Sequence, residues 1–213
     1  MAISLSVAPD VAPLARIGAL TCDTARLDAT DAALDAAMAE AEQALRARGD
    51  TDVSAARALY RAIGLDPTKT RPSSEALLRR VRRGESLPRI NTVVDIGNWC
   101  SVEVQLPYGL YDLDRVVPPL EVRRGREGEA YAGIRKDVVH LAGRFVVADS
   151  AGPFGNPTSD SARTMVTTAA RRVLVVVFAP IAVTASAMTR VLDVTAQRLE
   201  RWANGRETWR WVS

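Results

Sequence analysis

Histidine, cysteine and lysine are nearly absent from this chain. Of its 213 residues one is histidine, His140, two are cysteine, Cys22 and Cys100, and lysine occurs only at Lys69 and Lys136. A single histidine excludes a multi-histidine metal site and leaves a Ser-His-Asp triad one candidate base. Set between Val138, Val139 and Leu141 with no partner motif nearby, His140 reads as structural. The cysteines form no disulfide framework and lack CxxC spacing, which points to a reduced, cytoplasmic compartment. No apolar run reaches about 18 residues, so no membrane span is expected. The opening MAISLSVAPD lacks the basic region and cleavage pattern of a secretory signal. No glycine-rich phosphate cradle is present either, so no cofactor and no metal are expected.

What is abundant is arginine. Net charge is only +3, yet the pI is near 9.2 and almost all the positive charge is guanidinium. Two readings stay open: a genome whose codon usage favours Arg and Ala, or phosphate recognition, for which the bidentate guanidinium is suited. The 47% hydrophobic content is that of a globular protein.

The pattern begins helical and turns to strand. Residues 30–48 carry Ala33, Leu34, Met38, Ala41 and Leu45 on one stripe, closed by Gly49. A second helix is expected over 54–63 and a third over 74–83, with Ser73 as its cap and Glu75 in its first turn. On the third, Leu77, Leu78 and Val81 share a face while Arg79, Arg82 and Arg83 fall away from it. That basic face is either solvated or a contact for an RNA backbone, together with Arg71 and Arg89. Alternation of Val102, Val104 and Leu106 with Glu103 and Gln105 predicts a strand. Further strands are expected at 120–123, 144–148 and 173–178, the last apolar enough to be central and covered on both sides. A final helix over 186–203 precedes a tail bearing Trp209 and Trp211, expected to dock with Trp202 on the body. The economical architecture is α+β, a single domain of residues 1–213 with one mixed β-sheet flanked by helices.

The densest stretch is residues 87–115, LPRINTVVDIGNWCSVEVQLPYGLYDLDR, where Asn and Asp interrupt an apolar frame. The region from Leu78 to Asp114 resembles the editing and tRNA-binding module of the bacterial phenylalanyl-tRNA synthetase beta subunit, formed by its third and fourth domains. Arg79-Arg80, Arg89-Ile90-Asn91, Val94-Asp95, Asn98, Pro107 and Asp112-Leu113-Asp114 carry the likeness. Stand-alone relatives of that module also share Tyr60-Arg61, Gly64, Asp66-Pro67, the run Arg71 to Leu77, and Asn156-Pro157-Thr158-Ser159-Asp160. The likeness is dense over residues 60–178, leaving a helical segment 1–56 and a C-terminal helix and tail 185–213 as appendages of the same domain.

The resemblance implies an α+β module that binds tRNA or an aminoacylated tRNA end. In the synthetase such a module hydrolyses tyrosine mischarged onto phenylalanine tRNA. Two departures stand out. Where the synthetase typically reads Gln-Pro-x-His-Ala-Phe-Asp, this chain reads Leu106-Pro107-Tyr108-Gly109-Leu110-Tyr111-Asp112, and a late-strand carboxylate is replaced within Leu174-Val175-Val176-Val177. Deacylation requires a held water and oxyanion donors. The candidates for chemistry are Asn98, Gly109 (through a closely approaching backbone N–H) and Asp160. Candidates for substrate contact are Asn91, Tyr108, Asp112, Asn156, Thr158, Ser159, Arg163 and Thr164. For the RNA backbone they are Arg71, Arg79, Arg82 and Arg83. Local alternatives are kept for several: Asn91, Asp95, Asp112 and Asp114 as turn or cap residues, and Ser159-Asp160 as the cap of a helix over 161–168. The reading is an editing-like protein acting in trans on mischarged aminoacyl-tRNA. The alternatives are a non-catalytic RNA-binding module, or a binder of free amino acid. No sequence feature specifies an oligomeric state.

Overall fold

Strand β9 (Arg172–Pro180) organises the molecule because its side chains are apolar on both faces. Val173, Val175, Val177 and Ala179 enter one core, and Leu174, Val176 and Phe178 enter another. A computed structural model describes residues 3–24, 26–135 and 137–213. In it β9 lies inside a four-stranded antiparallel sheet. Its neighbours are β2 (Ala15–Asp23) and β3 (Tyr108–Asp112), and β10 (Arg206–Val212) is added beyond β2.

Four helices lie on one side of that sheet, two packed on its strands and the other two packed on one of these. They are α1 (Ala32–Ala47), α3 (Ser73–Arg82), α4 (Thr92–Val104) and α5 (Ala185–Ala203). Leu34, Met38, Leu78, Val81, Ile96, Cys100, Met188 and Leu192 make the shared core. The opposite face packs on a second four-stranded sheet and on α2 (Ser54–Ala62). This sheet runs β1 (Leu5–Val7), β4 (Leu120–Arg124), β7 (Phe145–Asp149) and β8 (Gly152–Gly155), with β1 and β4 parallel and the other pairs antiparallel. A small hairpin joins β5 (Ala130–Ala132) to β6 (Val138–His140). The protein is thus a single α+β domain in three layers.

Several expectations need correction. The single mixed sheet is two four-stranded sheets, one antiparallel and one mixed. The strand expected around Val102 and Val104 is the end of α4. Three alternating residues cannot outvote a helix that opens on an Asn91 cap, and the chain leaves it only when Gln105 takes a left-handed φ of 53° before Pro107. Ser73 does not cap α3. It is the first helical residue, and no side chain caps that end. The helix expected over 161–168 is only a 3-10 turn, Ala162–Thr164, held by Ser161. The first 56 residues are not purely helical, because β1 and β2 lie within them. The tail docks on the body as expected: β10 pairs with β2, and Trp209 and Trp211 pack against the second core. His140 stands exposed on β6.

Candidate functional site

The turn after β8 is built by one asparagine. The Asn156 side-chain oxygen accepts from the backbone N–H of Thr158 and Ser159, each at 2.8 Å, which closes a tight Asx turn around Pro157. Three tyrosine hydroxyls then fasten this turn to the body. Tyr60 on α2 donates to the Pro157 carbonyl at 2.9 Å and takes the Thr158 hydroxyl at 3.0 Å. Tyr131 on β5 donates to the Ser159 carbonyl at 2.5 Å and accepts from the Asn156 amide at 2.9 Å. Tyr111 on β3 donates to Asp160 Oδ1 at 2.9 Å. Burial pushes the Tyr60 phenol up to about 12. The Tyr111 phenol goes well above its usual value, first through burial and then through the adjacent Asp160 charge. All three therefore act as neutral donors.

Facing the turn across a cleft is α4. Gly97 permits close packing, because a Cβ there would overlap the Leu110 side chain. One helical position later, Asn98 points into the cleft half-buried, and its amide makes no hydrogen bond to the described residues. Asp95 lies behind the wall, where its carboxylate accepts from the Ile90 N–H at 2.8 Å and fixes the segment carrying Ile90. Burial raises the Asp95 pKa to about 6, against the opposing pull of that hydrogen bond and of Arg89.

The cleft has two connected chambers. A polar one of about 390 Å³ is walled by Ser73, Asn156, Pro157, Thr158 and Ser159. A smaller one of about 210 Å³ is walled by Val94, Leu110, Met165 and Val166, with Arg135 beside them. Ile90, Asn98, Tyr108, Ile134 and Asp160 belong to both. The Tyr108 hydroxyl is bound to the Thr195 hydroxyl at 3.0 Å, so this residue offers its ring rather than its polar end.

Six of the residues singled out in the sequence meet here: Asn98, Tyr108, Asn156, Thr158, Ser159 and Asp160. Others do not wall the cleft. Asn91 caps α4 by accepting from the Val94 N–H and donates to the Val166 carbonyl. Asp112 accepts from the Asp114 N–H and pairs with Arg115, closing the turn after β3. Arg163 forks onto the buried Asp149 at 2.9 and 3.0 Å, and Thr164 is buried. Gly109 is buried in β3 opposite Val176, and Tyr111 covers the side where a substituent would stand. It is therefore not the cleft donor expected.

The arginines divide. Arg71 and Arg79 converge with Arg57 on the buried Glu75, whose carboxylate is held below its usual range chiefly by hydrogen bonds from Arg57. Arg82 donates to the Gly49 carbonyl and Arg83 pairs with Glu85. Among the residues passed over in the sequence, Tyr111 had a legible signal. It stands two positions from Gly109 and so on the same face of a strand. Tyr131, Ile134 and Met165 had none.

The sequence profile of the B3/4 domain matches residues 55–207. The chain belongs to the B3/4 domain family. Over 64 residues, 30% of its length, this B3/4 protein is 38% identical to the phenylalanine–tRNA ligase beta subunit of Neisseria meningitidis serogroup B. Over 64 residues it is 36% identical to that of Bartonella quintana. In each case the match spans 8% of the relative's length. An N-terminal fragment of the phenylalanyl-tRNA synthetase beta-subunit from Pyrococcus horikoshii superposes on the whole chain with a TM-score of 0.53 at 13% identity. The superposition covers 55% of that fragment and establishes a shared fold. Among the described residues no helix is long and apolar enough to cross a membrane, and no cluster of His, Cys, Asp and Glu is fit to hold a metal.

Proposed function

We propose that this B3/4 protein binds the aminoacylated 3′ end of a tRNA in the two-chambered cleft and hydrolyses the ester in trans. The observation that carries the proposal is the meeting of an apolar and a polar chamber at Asn98 and Asp160. An aminoacyl ester has the same order of parts: side chain, then ammonium and carbonyl, then ribose and base. The apolar chamber suits an apolar side chain, Asp160 the ammonium or an attacking water, and Asn98 the carbonyl, since its amide is not engaged elsewhere among the described residues. In the step itself, water oxygen adds to the ester carbon while its proton passes to the Asp160 carboxylate. The bond from that carbon to the ribose oxygen breaks, and the ribose oxygen takes the proton back. Free amino acid and uncharged tRNA leave. Ser73 walls the polar chamber at the start of α3, the helix whose Glu75 gathers Arg57, Arg71 and Arg79, and these three arginines against one carboxylate favour a phosphate backbone there. A cytoplasmic setting is part of the proposal.

Deacylation of a panel of mischarged tRNAs tests it, with wild type set against Asn98→Ala and Asp160→Ala. Hydrolysis by wild type and losses in both variants are expected. Equal rates in all three, or no tRNA deacylated, would sink the idea.

A second reading is favoured by the cleft lining, which among the described residues holds no histidine. It is a module that binds the same tRNA end without turnover, and it predicts salt-dependent binding alongside zero hydrolysis.

A further inference from the structure

Resting on the role given to Asp160 above, we infer that Tyr111 is a positioning residue for that carboxylate, and that Gly109 and Gly155 are the space its hydroxyl requires. The phenol ring packs edge-on against Phe154, centroids 4.8 Å apart at 86°, so the ring is set by the core between the sheets. Its hydroxyl emerges between β3 and β8 at a place where neither strand carries a side chain. A Cβ on Gly109 would overlap that hydroxyl and come within 2.6 Å of Cζ. One on Gly155 would overlap the hydroxyl from the other side and come within 2.6 Å of Cε1. At the end of this notch the hydroxyl meets Asp160 Oδ1 at 2.9 Å. Asp160 itself is held at the backbone by the Gly155 bridge and by the Ile134 N–H at 3.2 Å. A hydrogen bond from a donor set in the core restricts the rotation of a carboxylate about its last torsion.

The departure at Gly109 thus has a partner. The related synthetase string carries a histidine at that position and phenylalanine where this chain has Tyr111. In this chain the Tyr111 hydroxyl fits over residue 109 only because that residue has no Cβ. A polar group missing from one position of β3 returns two residues later, aimed at the cleft's carboxylate from behind.

The test is a double-mutant cycle on Tyr111→Phe and Asp160→Ala, read as kcat and KM on the mischarged tRNA that wild type hydrolyses best. Tyr111→Phe keeps the ring and its contact with Phe154, so the melting temperature should move little. The expected result is a kcat about 10-fold lower, the scale of removing a hydrogen bond to a charged group, with KM within about 2-fold. In the Asp160→Ala background the same change should cost nothing further. Multiplying losses, or full activity in Tyr111→Phe, would overturn the inference. If Tyr111→Phe does not fold, the ring carbon resonance of Tyr111 in wild type and Asp160→Ala reads the same contact: a shift is expected, and none overturns it. If wild type deacylates no tRNA, the catalytic reading fails separately. The cycle is then read on the Kd of an amide-linked 3′-aminoacyl-adenosine, where coupled losses uphold the positioning role and multiplying losses end it. A chain that neither hydrolyses nor binds this probe overturns both.

Discussion

Tyr111 and Asp160, 49 positions apart in sequence, are joined by a 2.9 Å hydrogen bond between a phenol buried in β3 and a carboxylate on the cleft wall. The bond runs through the boundary between the interior and the cleft. The interior end packs edge-on against Phe154 in the core between the sheets.

The first consequence concerns stability. Gly109→Ala and Gly155→Ala each place a methyl group on the Tyr111 hydroxyl from opposite sides. Each should cost about 1–3 kcal/mol or more in urea unfolding. In a Tyr111→Ala background the added cost should fall below about 1 kcal/mol, because the obstructing ring is gone.

Asp95 gives a pH signature. Its folded pKa of about 6 lies above the ordinary 3.8, so the folded state holds the extra proton between those values. Stability contributed by this group therefore falls as pH rises from about 4 to 6 and stays low above that. Asp95→Asn keeps an acceptor for the Ile90 N–H and removes the titration. The variant should be more stable near pH 7, by up to about 3 kcal/mol, and flatter between pH 4 and 6. Unfolding curves across that range decide it. An unchanged slope would contradict the assignment.

Asn98→Ala should separate function from folding. The amide makes no hydrogen bond to the described residues, so its removal should shift stability within about 0.5 kcal/mol. Deacylation, or binding of the amide-linked probe, should fall about 10-fold or more. A destabilised Asn98→Ala with normal binding would assign the residue to the scaffold.

The arginines make a positional prediction. Arg71→Ala or Arg79→Ala should weaken tRNA binding and reduce the slope of log K against log salt by about 0.7 for each single-strand phosphate that is no longer neutralised. Arg82→Ala and Arg83→Ala, at the far end of α3 and engaged with Gly49 and Glu85, should change the slope less. Filter binding at several salt concentrations measures all four.

The helices were legible because their signals are local. The stripe from Leu34 to Leu45 fits α1, and that from Met188 to Leu199 fits α5, within a residue or two of the observed ends. Strand β9 was legible for a related reason, since continuous Val and Leu betrayed a strand covered on both sides. The misread segments were those whose local pattern is weak. Residues 102–104 alternate like a strand, yet they extend a helix already started at Asn91. The sequence of β2 is short on large apolar residues because α5 and the second sheet press closely against it, and so it passed unnoticed.

The family resemblance singled out Asn98, and together with the density of Asn, Pro, Ser and Asp, residue types that build turns and polar sites, it singled out residues 156–160. Three-dimensional packing decided which polar residues face the cleft: Asn98 and Asp160 do, while Asn91, Asp112 and Arg163 spend their polar atoms on the scaffold. The surroundings of Gly109 were decided in the same way. By resemblance it stands where a histidine is typical; in the fold a Cβ there would overlap the Tyr111 hydroxyl, which donates to Asp160. That difference arises because a strand residue's role depends on what lies over its face, and here the covering groups come from β3 itself and from β8, roughly forty residues further along the chain.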